Sequence, residues 1–293
     1  MRASAALLVA LLGCGGAGQP AKPEQPAPPE KPAALSFAWP PDGVVGVTEH
    51  VKKDNVELTL SYTLHLCDDD AGLRVRHRDI HVTAMTGVDL ESEQAKKELA
   101  ELRPIFEMTP DLIVSDSGEF KAIGNLDALL AALAEKYPHM AGNFERLKTD
   151  ENARAQLESN VAELWAGWVG LWLRMDPAGG NRQTIDGVAF ERLESEGDGL
   201  ALRATKIWDP EILRAAAMKS VPEETRPAIE KADIARTDVF EVTTDPKTLQ
   251  PSRARRAQER RLALPGQAPL HRKETNDYQF DWKSAAGQKA ECP

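Results

Sequence analysis

From Val56 to Cys67, apolar and polar residues alternate without a break: Val56, Leu58, Leu60, Tyr62, Leu64 and Leu66 are set against Glu57, Thr59, Ser61, Thr63, His65 and Cys67. An extended chain points successive side chains to opposite faces, so this pattern specifies a strand with one face buried and one wet. The stretch Cys67-Asp-Asp-Asp-Ala-Gly72 supplies turn residues, and Leu73 to Met85 is expected to return as the second strand of a hairpin. The chain is therefore committed early to an antiparallel sheet that needs a partner layer for its apolar face.

The partner layer is expected in the middle of the sequence. Ser92 suits the cap of a short helix over Glu91 to Leu102, stopped before Pro104. Pro110 to Ile123 is expected to form a second hairpin turning at Asp116-Ser-Gly118, which leads into a helix over Leu126 to Tyr137. The clearest helical pattern runs from about Asp150 to Met175 and carries three of the six tryptophans. Trp165, Trp168 and Trp172 are spaced i, i+3, i+7 and share one helical face, while Ala166, Gly167 and Gly170 thin the face beside it. Strands are expected at Thr184 to Ser195, Leu200 to Ile207, Asp238 to Thr244, after Ser252 and at Asp277 to Lys283, with a helix near Glu211 to Lys219. Strands segregated from helices favour an α+β fold. The expected architecture is a curved antiparallel sheet or half-open barrel packed on a long central helix, and its element order is similar to that of periplasmic lipoprotein carriers.

The first 34 residues read differently. Arg2 gives a positive start, Ala5 to Leu12 an apolar run, and Gly13 a small residue before Cys14. The run is too short to span a bilayer, which takes about 20 residues. Leu11-Leu-Gly-Cys14 resembles the lipobox of bacterial lipoproteins. The resemblance implies a signal peptide over residues 1–13, cleavage before Cys14, and acylation of that cysteine. The acyl chains would anchor the protein in the membrane at about 0.8 kcal/mol per buried methylene. Gly15 in place of an aspartate implies an outer-membrane address within the cell envelope. Residues 19–34 alternate proline with small and charged residues and cannot bury a core, so this stretch is expected to be an extended spacer of roughly 50 Å at most, within a lipidated tether over residues 14–34. Residues 35–283 are expected to form one domain and residues 284–293 a polar tail.

If Cys14 carries lipid, Cys67 and Cys292 remain as an even pair in an oxidising compartment. They are expected either to form a disulfide across a very long loop or to stay as two thiols. His65, His77, Asp79 and His81 lie on the first hairpin, but no spacing among them enforces tetrahedral geometry, so no metal is expected there. Asp68, Asp69 and Asp70 lack the glycine and distal glutamate of a calcium loop and read as a solvated turn.

Arg253, Arg255, Arg256, Arg260 and Arg261 form a basic cluster in a chain of net charge −10, and are candidates for contact with anionic head groups. Trp165, Trp168 and Trp172 are the candidate ligand face, with a plain core helix as the competing reading. The acidic balance argues against a nucleic-acid partner. No nucleophile elbow, zinc-protease helix, phosphate loop or dinucleotide fingerprint occurs in context, and no cofactor is implied. The expectation is a non-catalytic, membrane-anchored protein of the periplasm or outer membrane that binds an envelope partner or an apolar ligand. A purely structural or assembly role is the alternative, and a hydrolase or metal enzyme a third reading.

Overall fold

The computed structural model describes residues 35–106, 109–176, 179–195, 199–283 and 289–292. The expected signal peptide, Cys14 and the expected proline-rich tether lie outside the described residues. Strands β1 (Val44–Lys53), β2 (Val56–Asp69) and β3 (Gly72–Met85) come first, followed by helix α1 (Glu93–Phe106) and the short β4 (Leu112–Val114) and β5 (Phe120–Ile123). Three helices follow: α2 (Leu126–Lys136), α3 (Ala141–Thr149) and α4 (Glu151–Trp165). Next are β6 (Arg182–Ile185), β7 (Val188–Leu193) and β8 (Leu200–Ile207), then α5 (Pro210–Ser220) and α6 (Arg226–Glu230), and last β9 (Asp233–Thr244), β10 (Pro251–Ala263) and β11 (Leu270–Asp281).

All the strands join one antiparallel sheet in the order β5-β4-β3-β2-β1-β11-β10-β9-β8-β7-β6. Strands adjacent in sequence pair with one another, except β5 with β6, and the first and last strands meet in the middle. Val47 of β1 lies opposite Tyr62 on one side and Phe280 on the other. The edges are β5 and β6, and the helical stretch α2 to α4 is the connection between them. Tight turns set the register. Asp186 and Gly187 both take positive φ, 48° and 76°, as a two-residue turn matched to strand twist requires.

This corrects the expected architecture. The sheet is a single open one of 11 strands, not a half-open barrel, and no long central helix packs on it. The helix expected over 150–175 is α-helical only to Trp165. It then widens into a π turn over Ala166–Gly170 and tightens into a 3₁₀ turn at Trp172–Arg174. Two glycines in five residues weaken the regular helix here. The i→i+5 bond from Leu171 N–H to the Ala166 carbonyl, 3.1 Å, marks the widening. A Cβ on Gly167 would approach the Phe240 ring to 3.2 Å, so the small residue also sets how closely the turn lies on β9.

The core forms where this irregular segment meets the sheet. Inward positions of the strands, among them Val45, Leu64, Leu66, Phe240, Val242 and Phe280, surround Trp165, Trp168 and Trp172. Trp39 closes the layer, its ring 5.0 Å from those of both Trp165 and Trp282. A smaller cluster of Ile123, Leu126, Leu130 and Phe144 packs α2 and α3 together. Residues 289–292 return to the first hairpin. There Cys67 and Cys292 are disulfide-bonded, and the Glu291 N–H donates to His65 Nδ1 at 2.8 Å. Among the described residues no helix is long and apolar enough to cross a membrane.

Candidate functional site

The three tryptophans expected to form a ligand face do not present one. Their side chains are 1%, 1% and 0% exposed, and the space around them is filled by protein. The Trp168 ring lies 5.4 Å from both Tyr278 and Phe280, edge-on, and Trp172 lies 6.3 Å from Phe190. The indole N–H groups of Trp165 and Trp172 donate to the carbonyls of Gly118 and Gly167. This is a solid core, and the expected ligand surface is corrected accordingly.

The basic cluster is divided by the strand that carries it. Along β10 the side chains alternate, so Arg253, Arg255 and Arg261 face away from the core while Arg256 and Arg260 face the side on which the helices pack. Two of the outward arginines lie near the chain's own carboxylates, Arg255 at 3.6 Å from Asp277 and Arg261 at 3.2 Å from Asp233. Arg256 bonds Glu163 of α4. Arg236 of β9 reaches the same carboxylate at 3.3 Å and Asp238 at 2.8 Å. Asp238 is 1% exposed and also accepts from the Trp208 indole at 2.6 Å and from Gln258 at 2.8 Å. Burial pushes the Asp238 carboxyl up, but its bonds from Arg236, Trp208 and Gln258 outweigh this and hold it below the usual carboxylate range. A buried polar belt thus lies beside the tryptophan core.

Beyond the belt the sheet opens into a groove. Arg260 lies directly opposite Arg236 on one neighbouring strand and Arg272 on the other, so three arginines stand in a row across β9, β10 and β11. Two positions further along each strand, Ile234, Leu262 and Leu270 form a parallel apolar row, again directly paired. Leu213 and Ala217 of α5, with Val221 and Ile229, make the facing wall of a space of about 430 Å³. Helix α5 is fixed at its start by Asp209, whose carboxylate accepts the Glu211 N–H at 2.7 Å, and by Pro210 in the first turn. Trp208, just before it, carries Lys206 and Arg236 over its ring at 3.6 Å and 4.5 Å. Among the described residues neither Arg260 nor Arg272 makes an ion pair, whereas Arg236 makes two. A smaller cavity with Lys53 and Glu274 in its wall adjoins at Arg260 and Arg272.

The other candidates separate. His77 faces inward opposite Leu64, while His81 faces outward opposite Ser61, because β3 carries a bulge at Asp79, which takes φ 52°. Among the described residues no group of three metal-ligating side chains converges. Asp69 is held by Arg74 at 2.6 Å within its own hairpin. Sequence reasoning named Arg260 but missed Arg236, Arg272 and the α5 wall. The row exists only once β9, β10 and β11 are paired, and residues 24 and 12 positions apart carry no local signature.

No protein-family model matches the chain, and no curated protein matches it. Among solved structures, one of lipid–protein interactions in lipovitellin is similar over 86% of this chain at 7% identity and a TM-score of 0.45. The chain spans only 27% of that lipovitellin chain.

Proposed function

We propose that this chain is an exported, lipid-anchored protein whose domain binds an apolar ligand, without catalysis, in the groove between α5, α6 and the ends of β9, β10 and β11. The groove itself carries the reading. Its walls are mostly aliphatic, its volume of about 430 Å³ falls in the range of small-molecule sites, and it opens to solvent at Leu270, which is 48% exposed. Apolar side chains left in an open concavity favour an occupant that removes them from water. Anchoring at Cys14 rests on the lipobox resemblance and the proline-rich tether. It is supported by the Cys67–Cys292 disulfide, a bond that persists in oxidising compartments such as the periplasm.

Titration of the full chain with N-phenyl-1-naphthylamine, a neutral lipophilic fluorophore, tests the groove. Saturable enhancement is expected, and Ala217→Trp, which places an indole between α5 and the sheet, is expected to abolish it. No enhancement, or enhancement untouched by Ala217→Trp, overturns the groove as the site. Incorporation of labelled palmitate that disappears in Cys14→Ser is expected for the anchor, and an unlabelled parent chain overturns that part alone.

A further inference from the structure

We propose that the occupant of this groove is an anionic amphiphile, a single alkyl chain ending in a carboxylate or phosphate, bound with its head against the arginine row and its chain against the apolar row. The inference rests on the apolar-ligand reading above and specifies the other end of the molecule.

Like charges placed directly opposite across a sheet repel one another. Here the repulsion occurs twice in one row, Arg236 against Arg260 and Arg260 against Arg272. Arg236 is compensated by Asp238 and Glu163. Arg260 and Arg272 have no ion pair among the described residues, and both line the groove. Burial, and next the charge of Arg236, make Arg260 easier to deprotonate than a free guanidinium, against the opposing charges of Asp238 and Glu274, neither of which lies within ion-pair distance of it. A planar guanidinium offers paired donors that match the two oxygens of a carboxylate or phosphate.

The neighbouring row decides which chemistry the rest of the molecule must have. Ile234, Leu262 and Leu270 sit two residues from the arginines on the same face, about 7 Å along the strands, toward the open end. An anion seated on the arginines therefore borders the hydrocarbon of this row, with Leu213 and Ala217 also lining the groove. Inorganic phosphate satisfies only the first row and a neutral lipid only the second.

The test is isothermal titration of the full chain, below micelle-forming concentrations, with laurate, dodecyl phosphate, the neutral monolaurin and inorganic phosphate. Laurate or dodecyl phosphate is expected to bind at least 10-fold more tightly than monolaurin, and inorganic phosphate far more weakly than either. The double variant Arg260→Gln, Arg272→Gln is expected to lower affinity for the anionic amphiphile about 10-fold or more and to lower that for monolaurin far less, with an unaltered circular dichroism spectrum as the folding control. Equal affinity for laurate and monolaurin, or an anion affinity that survives the double variant, overturns the anionic head while leaving the apolar-ligand reading intact. Inorganic phosphate binding as tightly as laurate overturns the amphiphile. Failure of all three alkyl compounds to bind overturns both readings together.

Discussion

The indole N–H of Trp165 donates to the carbonyl of Gly118 at 2.7 Å, a bond between residues 47 positions apart that ties the end of α4 to the turn between β4 and β5. Gly118 takes φ 85°, and a Cβ there would meet Phe37 at 2.7 Å. Gly118→Ala therefore combines a left-handed backbone cost with a clash against a packed ring. It is expected to destabilise the domain by about 2 to 3 kcal/mol, read as a lower urea midpoint with an unchanged slope. A midpoint within error of the parent would show that the turn relaxes freely.

The difference between legible and illegible elements is one of range along the chain. The alternation at Val56 to Leu66 marks β2, which spans Val56–Asp69 with Tyr62, Leu64 and Leu66 buried, but Val56 is 51% exposed and the polar-face residues His65 and Cys67 are buried as well, beneath the returning C-terminal residues. Helices α2 and α5 likewise carry their signals locally, in Leu126 onward and in the Asp209-Pro210 start. The stretch 150–175 misleads because Trp165, Trp168 and Trp172 fit an α-helical period, while Gly167 and Gly170 permit a π turn that only the approach to Phe240 selects. The five arginines of β10 look like one patch in sequence, and strand alternation sends them to opposite faces. The groove was illegible because it is made by pairing: Arg236, Arg260 and Arg272 acquire meaning only through strand register.

Glu163 is shared by Arg236 and Arg256, and all three side chains are at most a quarter exposed. Removing it leaves Arg256 without its anion in a half-buried position, which costs more than the pair itself contributes. Glu163→Gln is expected to lose about 2 to 4 kcal/mol by urea unfolding. The double variant Glu163→Gln, Arg256→Met is expected to lose less than the sum of the two single changes, since the two residues share one interaction. Strict additivity would show that the contact carries no net energy.

Cys67 and Cys292 are 225 residues apart in sequence, with Cα atoms 5.6 Å apart, and their bond closes nearly the whole domain into one loop. In the chain-entropy treatment, a loop of that length restricts the unfolded state by about 5 kcal/mol. Reduction, or Cys292→Ser, is expected to lower the thermal midpoint by about 10 to 20 °C while the sheet persists, because the tail otherwise holds on through bonds such as Ala290 N–H to Asp42 and Glu291 N–H to His65. Differential scanning calorimetry with and without reductant measures it. Coincident midpoints would show that residual structure in the unfolded chain cancels the restriction.

His77 gives the domain an acid-sensitive core. Its ring faces inward opposite Leu64, 5.3 Å from Tyr62 and 6.2 Å from Trp168, and its Nδ1 has no hydrogen-bond partner. Burial lowers its pKa from the usual 6.5 to about 4, against a smaller opposing effect of a backbone bond to Pro110. Between pH 6.5 and about 4 the unfolded chain takes up a proton at this position that the folded chain refuses, so stability falls as pH falls through that window and is flat in this respect above it. The gap corresponds to about 3 kcal/mol when complete. His77→Phe keeps an aromatic ring beside Tyr62 and Trp168 and removes the titration. Urea unfolding of both proteins from pH 8 to pH 4.5 is expected to show the parent losing about 2 to 3 kcal/mol more than the variant, with the difference confined to pH below about 6.5. Curves that stay parallel across that range would mean that His77 is protonated as readily in the folded domain as in the unfolded chain.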